Sequence, residues 1–368
     1  MNPVVDANGE EHPWWLAFRL ADVSSSARFE ALRSHFGSLE RAWIASSPEL
    51  RRVLGNRERM LSAITSSRQA IDPVNELERL QRDGVGLVTL ADPGYPRLLR
   101  EVPAPPPVLF VRGTLTEEDA TSLAIVGTRK ATGYGREMAT AIAGDLAQAG
   151  VTIVSGLATG IDGVAHRAAL EAGGRTIAVL GSGIHDIYPR NHARLAREIA
   201  ESGAVISDIL PHAKPDRWNF PARNRIISGL SLGVLVVEAP EKSGALITVD
   251  FAADQGREVF AVPGPANAHA SAGCNRILRD GARLVRNASD LIEDLRLKAP
   301  ANEPAVQQPL LLDDDERRVL AVLTSEPMHI DDVGESAGLA LPRVSAILLT
   351  LELQNLVRNA GAQHYTRR

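Results

Sequence analysis

Between residues 120 and 265 of this 368-residue chain, short apolar runs rich in Val, Ile and Leu recur every 25 to 29 residues, with helix-compatible stretches between them. That spacing is what a strand, a crossover helix and a return loop require, so it restricts the region to βα units and a mainly parallel sheet. The runs fall at 123–126, 151–154, 176–180, 204–207, 233–237 and 258–262. They are apolar throughout rather than alternating, which predicts a doubly wound sheet covered on both faces. Two earlier runs, 87–90 and 108–111, flank the proline-rich segment 103–107 and are expected to extend the sheet or form its edge.

Upstream, residues 12–75 are rich in helix formers, with periodic apolar positions such as Leu32, Phe36, Leu39, Trp43 and Ile44. Gly37, Ser47-Pro48 and Gly55 divide them into short helices. The segment reads as a small helical domain over 1–78, of a SAM-like or helix-hairpin-helix-like kind. Packing is its expected role, with contact to a DNA backbone as the alternative. The sheet domain is expected over 79–297. Residues 298–311, with Pro300, Pro304 and Pro309 among small polar residues, read as a linker. Beyond it, helices expected over 313–324, 329–337 and 341–355, then a two-stranded hairpin through Gly361, make a winged-helix domain over 312–368.

Composition narrows the class further. Hydrophobic residues at 44% and charged ones at 23% belong to a globular chain rather than a disordered one. Cys274 is the single cysteine, which leaves no internal disulfide and no thiolate-rich metal centre and predicts a reducing, cytoplasmic setting. The N-terminal ten residues lack a basic stretch followed by an apolar one, and no apolar run approaches the roughly 18 residues of a membrane span, so no membrane partner is expected. The net charge of −5, from 40 Lys and Arg against 45 Asp and Glu, does not exclude nucleic acid, because phosphate meets a local patch and not the average.

In an open parallel sheet the ligand crevice lies outside the carboxyl ends of the strands. There the sequence is uniformly small and polar. Gly127, Thr128 and Arg129 follow the first run, with Gly133 and Gly135 close behind; Ser155, Gly156, Thr159 and Gly160 follow the second, and Gly181 and Gly183 the third. Glu238 follows the fifth and leads to Ser243, Gly244 and Thr248, and Pro263-Gly264 follows the sixth. Small residues admit a ligand close to the backbone, and helix-start N–H groups favour an anion, phosphate above all. The glycines match neither the dinucleotide fingerprint nor a P-loop, which demotes NAD and ATP, and no cofactor is expected.

The most informative segment runs from His212 to Ser228. It carries Lys214, Arg217, Arg223 and Arg225 against Asp216, and although aromatics make up only 4% of the chain, Trp218 and Phe220 sit inside this basic run. Arginines grip phosphates and aromatic faces stack unpaired bases, which is how single strands are held without reading sequence. The same residues also suit a plainer arrangement, with Trp218 and Phe220 as core anchors and the arginines solvated. Catalytic patterns are thin: no H-E-x-x-H, no G-x-S-x-G and no close cluster of His and carboxylates occurs. His166, four residues after Asp162, is a candidate base or ligand, although such a pair more often serves its own helix. Cys274 has no evident activating partner.

Taken in order, Gly127-Thr-Arg129 with Tyr134-Gly135, Ser155-Gly-Leu-Ala-Thr-Gly-Ile-Asp162, Phe220-Pro-Ala-Arg-Asn-Arg-Ile-Ile, Ser243-Gly-Ala-Leu-Ile-Thr248 and Val262-Pro-Gly264 resemble the DprA/Smf family. The likeness is dense over about 85–295, and both flanking modules look like appendages of that family. The resemblance implies an extended Rossmann-like sheet and a non-catalytic bacterial DNA-processing protein of natural competence. Such a protein binds single-stranded DNA, forms a homodimer and loads the RecA recombinase in natural transformation. It further implies that Arg129, Arg217, Phe220, Arg223 and Arg225 line the DNA pocket, with Arg129 on a phosphate, Phe220 on a base, and Asn224 and the turn residues named above around them. Two positions depart from the family pattern: Thr128 stands where Ser is common, and Arg217 where Lys also serves; either cation holds phosphate. The alternative is a Rossmann-like hydrolase of the phosphoribohydrolase type acting on nucleoside monophosphates. Those carry a Pro-Gly-Gly-x-Gly-Thr stretch followed by a catalytic Glu, whereas here Pro263-Gly264 continues Pro-Ala-Asn. The winged helix, whose third helix offers only Arg343 as a cation, is expected to contact protein or play an auxiliary role.

Overall fold

The periodic apolar runs do become parallel strands, each within a residue or two of its expected limits. The computed structural model describes residues 11–297 and 312–367 except 325, 354 and 355. Six helices come first: α1 (His12–Leu20), α2 (Ser26–Phe36), α3 (Leu39–Ile44), α4 (Ser47–Leu54), α5 (Glu58–Ala70) and α6 (Pro73–Arg82). The sheet strands are β1 (Gly86–Thr89), β2 (Val108–Gly113), β3 (Ser122–Val126), β4 (Thr152–Ser155), β5 (Thr176–Val179), β6 (Ala204–Ser207), β7 (Gly233–Val236), β8 (Glu258–Ala261) and β9 (Arg283–Leu284). Short α7 (Arg97–Arg100) joins β1 to β2. The helices between and after the parallel strands are α8 (Gly133–Gln148), α9 (Ile161–Glu171), α10 (Ala193–Ser202), α11 (Asn219–Gly229), α12 (Leu246–Asp254), α13 (Ala272–Arg279) and α14 (Ala288–Asp294).

The strand order is β1-β2-β6-β5-β4-β3-β7-β8-β9. From β6 to β9 every neighbouring pair is parallel; β2 returns antiparallel on β6, and β1, antiparallel on β2, forms one edge as the sequence suggests. Strand β9 is two residues long and too short to leave a pattern in sequence. The chain winds outward from β3 to β6, then returns to lay β7 on the other side of β3. The order therefore reverses at β3 and β7, the topological switch point where such sheets open a crevice.

Both faces are covered, as the unbroken apolar strands require. Side chains alternate across the pleat, so Ala124, Val154, Ile177 and Val234 meet α11 to α13 on one face, while Leu123, Ile125, Ile153 and Leu235 meet α8, α9 and α14 on the other. The N-terminal helices belong to the same compact unit as the sheet. Trp15, Phe18, Phe29 and Trp43 share one cluster with Val108, Phe110, Ala178, Val205 and Leu195, and the Trp15 and Phe29 rings stack at 4.6 Å. The boundary expected at 78/79 falls inside α6, which Asp72 caps by accepting from the Val74 and Asn75 N–H groups. Ile44, expected on the apolar face, is 74% exposed, because α3 ends there with Trp43 already turned inward.

The second compact unit comprises α15 (Asp314–Val322), β10 (Met328–His329), α16 (Ile330–Ala337), α17 (Leu341–Leu353), β11 (Val357–Gly361) and β12 (His364–Arg367), with strand order β10-β12-β11. It closes its own core around Val319, Val333, Val344, Leu348 and Leu351. This is the three-helix, β-hairpin winged helix expected from sequence. The expected linker, 298–311, lies outside the described residues, as do the N-terminal ten.

Phe110 is fully buried where the N-terminal helices meet the sheet. Phe110→Ala is expected to cost about 3 to 5 kcal/mol. In denaturant, tryptophan emission from Trp15 and Trp43 should fall together with the main far-ultraviolet dichroism change, since one core serves the helices and the sheet; loss of emission well before that main change would contradict a shared core, whereas a separate minor transition belongs to the winged helix with its own core.

Candidate nucleic-acid interface

At the switch point the loops after β3 and β7 are tied directly to one another. The Thr128 N–H donates to the Glu238 carbonyl at 2.7 Å, and the buried Glu238 carboxylate accepts from the Thr132 N–H at 2.8 Å and its hydroxyl at 2.6 Å. Thr132 in turn caps α8 by accepting from the Gly135 N–H. Both oxygens of Glu238 are thus used to hold the Gly127–Arg129 turn open beside β7.

The loop after β4 is braced in the same manner. Leu157 holds a left-handed φ of 58°, a strained conformation for a branched residue. The Asp162 carboxylate accepts from Gly156 and Ala158, on either side of it, at 3.2 and 3.4 Å. Burial pushes the Asp162 carboxyl up from its ordinary pKa, while Arg223, the two N–H donors and Arg129 pull it down. Arg223 is itself buried, with its pKa brought down to about 10 by that burial against the opposing pull of Asp162. Its Nη1 donates to the carbonyls of Gly156, at 2.8 Å, and Val179. Arg223 therefore pins α11 across the ends of β4 and β5.

Between these braces lies a cavity of about 740 Å³, walled by the turn after β3, by α11 and by the segment after β7. Four cations, Arg129, Arg217, Arg223 and Lys242, line it against one carboxylate, Asp162. Gly127, Thr128, Phe220, Asn224, Ser243, Gly244 and Thr248 also line it, so ten of the residues singled out from sequence converge here. A smaller chamber of about 80 Å³ adjoins it, lined by Gly156, Thr159, Tyr188 and Pro189 with Arg129, Phe220 and Arg223. Phe220 belongs to both chambers. The Arg129 guanidinium sits 5.6 Å from its ring centroid, and the Tyr188 ring centroid lies 5.4 Å away, tilted by 49°. A Cβ on Gly181 would collide with the Phe220 ring, so that glycine serves by seating the aromatic.

The remaining sequence candidates stand behind the cavity. Ser155 donates its hydroxyl to the Ile125 carbonyl at 2.6 Å. Gly160, at φ 84°, lets the β4 loop cross the Thr128–Arg129 backbone where a side chain would clash. Gly183 packs against the Leu210 and Pro211 carbonyls. Arg225, expected in the pocket, faces elsewhere, with Nη2 on Asp208 Oδ2 at 2.6 Å and Nη1 on the Ala104 carbonyl at 3.1 Å. Two residues along a helix are about 200° apart, so Arg223 and Arg225 cannot share one face. Tyr188 and Lys242 escaped the sequence reading. Tyr188 lies in the irregular stretch between β5 and α10, and Lys242 is a lone cation; no pattern marks either.

His166 is not placed as a base. It is fully buried, with Nδ1 2.7 Å from the Thr176 hydroxyl and Nε2 without a hydrogen-bond partner among the described residues. Burial, helped by His192, Arg223 and Arg167, brings its pKa down to about 3 from 6.5. Cys274 is equally quiet, its thiol pushed up to about 12 by burial. Arg343, the one cation on α17, is paired with Asp313 at 2.9 Å and Asp315 at 3.1 Å on the acidic start of α15.

A switch-point cavity lined by arginines, together with a separate winged helix, defines a Rossmann-like α/β protein with a positively lined crevice. The family model described as DNA recombination-mediator protein A matches residues 86–296, and that of the DprA winged helix domain matches 300–362. The chain is 36% identical to protein Smf of Synechocystis over 98% of its length and all of that relative's. It is 45% identical to protein Smf of Escherichia coli over 70% of this chain and 71% of the other. Among solved structures it matches DNA processing protein A of Streptococcus pneumoniae with a TM-score of 0.67 and 32% identity, covering 76% of this chain and 96% of that one. It also matches that of Helicobacter pylori, described as having a unique single-stranded DNA binding mode, with a TM-score of 0.51 and 31% identity over 57% and 95% of the two chains. This chain belongs to the DprA/Smf family of DNA-processing proteins.

The buried neutral His166 sets a pH dependence of stability. The unfolded chain takes up this proton near pH 6.5 and the folded one only near about 3, so the stability present above pH 6.5 is lost as the pH falls toward 3. This one proton contributes a slope of up to about 1.4 kcal/mol per pH unit. Urea titrations of His166→Gln across that range should decline more gently than wild type by about that slope; parallel curves would remove His166 as the cause.

Proposed function

We propose that this chain is a non-catalytic single-stranded DNA-binding protein and recombination mediator, a homodimer that protects incoming DNA and loads RecA during natural transformation in the cytoplasm. The observation that carries the binding step is the arrangement of Arg129 over Phe220 in a cavity lined by four cations. Unpaired bases reach an aromatic face that a duplex keeps stacked inside, and guanidinium groups beside that face take the intervening phosphates. The solved relative from Helicobacter pylori, described by its single-stranded DNA binding mode, supports the same reading. RecA loading, transformation and dimer formation rest on family membership. The cytoplasmic setting is supported by the single free, buried Cys274. Among the described residues no helix is long and apolar enough to cross a membrane.

A binding role rather than turnover is supported by the use made of the carboxylates near the cavity. Glu238 is occupied by Thr132, and Asp162 by two backbone N–H groups beside Arg223. Both oxygens of Glu238 are therefore committed to loop structure, and Asp162 holds the β4 loop through Oδ2, which favours a framework role for these carboxylates over the general base or nucleophile that a phosphoribohydrolase needs.

The test is fluorescence anisotropy with a labelled single-stranded oligonucleotide at several salt concentrations, competed by duplex and by mononucleotides. Arg129→Ala should weaken binding and reduce the salt slope by about 0.7, the value for one lost phosphate contact on a single strand. Phe220→Ala should cost about 1 to 3 kcal/mol with the slope kept, because stacking carries no counterion release. Arg223→Ala should lower thermal stability as well as affinity, since its guanidinium is part of the frame. Unchanged affinity for both Arg129→Ala and Phe220→Ala would remove the cavity as the DNA site. Efficient competition by mononucleotides, with release of free base, would move the reading to the hydrolase.

The winged helix is proposed to contact protein rather than read a groove, because its α17 cation is already neutralised by Asp313 and Asp315. The isolated fragment 312–368 should therefore show no tight duplex binding in the same assay, and tight binding would overturn this assignment.

A further inference from the structure

Trp218 is the one large aromatic side chain of the basic segment that neither the core nor the cavity employs. It is 71% exposed, whereas Trp15 and Trp43 are buried at 3% and 5% and Trp14 is half-buried. A single exposed apolar side chain is ordinary, but an indole offers a large flat face that suits an interface, and this one stands beside the cavity. Its backbone is anchored and its ring has an arginine neighbour. It stands immediately before α11, its backbone N–H donating to Asp216 Oδ1 at 2.9 Å, and the Arg217 guanidinium lies 4.9 Å from its ring centroid.

Arg217 links this ring to the cavity. It is among the cavity-lining residues and at the same time rests against the indole, so one guanidinium serves both the rim and the exposed aromatic. Trp218 itself does not line the cavity. The arrangement repeats outside the cavity what Arg129 and Phe220 make inside it, a guanidinium set against an aromatic face. Two cation–aromatic pairs in neighbouring positions, one enclosed and one open, suit successive nucleotides of a single strand, whose phosphates alternate with bases.

We propose that Trp218 and Arg217 form a second base-stacking station outside the cavity, which takes the unpaired base that follows the nucleotide held inside, with Arg217 on the phosphate between them. This rests on the reading of the cavity as a single-stranded DNA site. Stacking on a ring face and a phosphate contact do not depend on base identity, so the station lengthens the bound strand without adding sequence preference. It also gives a spectroscopic handle, because Trp218 is the one exposed tryptophan of the four.

The experiment uses the full-length protein and a series of oligothymidylates from about 3 to about 16 nucleotides, the range over which single-strand sites of this kind fill. Anisotropy gives affinity against length, and intrinsic emission reports the indole. Wild type should gain affinity in a step once the strand extends past the cavity, with quenching of exposed-tryptophan emission at that same length. Trp218→Ala should lose the step and bind the longer strands about tenfold more weakly, a change equal to roughly 1.4 kcal/mol. Trp218→Tyr should restore most of it, and melting temperatures of both variants should match wild type. Equal affinity of wild type and Trp218→Ala at every length, without quenching, would overturn the second station while leaving the cavity intact. An equal loss at all lengths would overturn it as well, by placing Trp218 in the first site. Absence of wild-type binding at any length would instead bring down the cavity reading on which it stands.

Discussion

The buried guanidinium of Arg223 is the contact on which the site depends. It fastens α11 to the carboxyl ends of β4 and β5 through the Gly156 and Val179 carbonyls, and Asp162 balances its charge from beneath the same loop. Removing either charge leaves the other uncompensated in a low-dielectric interior, which is far more costly than the pair itself is favourable. Phe220, one turn earlier on α11, is held over Gly181 as a consequence. The aromatic wall of the cavity is thus set by a buried guanidinium and the two strand-end carbonyls that accept from it.

This arrangement divides labour among arginines that look alike in sequence. Arg223 is structural, Arg225 ties α11 to Asp208 and to the loop at Ala104, and Arg129 and Arg217 remain exposed beside Phe220 and Trp218. Charge that must meet phosphate has to stay accessible, whereas charge that fixes a backbone must be enclosed with its acceptors. The carboxylates divide in the same way: Glu238 and Asp162 spend their hydrogen bonds on loop shape, leaving a cavity whose accessible charge is positive.

Much of the architecture was legible because its signals are local. Strand spacing, unbroken apolar runs and the winged-helix pattern each follow from periods of the backbone that read directly along the chain. The turn residues after β3 and β7 were equally legible as crevice-forming loops, since strand ends at a switch point open there, although small residues in such turns also serve the backbone alone, as Ser155, Gly160 and Gly183 do. Trp218 was not: inside a basic run, a core anchor and an exposed platform have the same residues in the same order. Tyr188 and Lys242 left no local trace at all, because each reaches the cavity from its own loop.

By itself, then, the sequence determined the fold class, the family and the loops that form the crevice, all of which depend on residue type and short-range order. Only the tertiary structure decided which side chains share a face and which are enclosed. Helix geometry turned Arg225 away from the cavity, strand pairing laid β7 against β3 so that Glu238 could brace the Arg129 turn, and burial converted Arg223, Asp162 and His166 from candidate chemistry into framework. The physical reason is that the role of a charged group follows from its solvation and its neighbours, and both are properties of packing rather than of order along the chain.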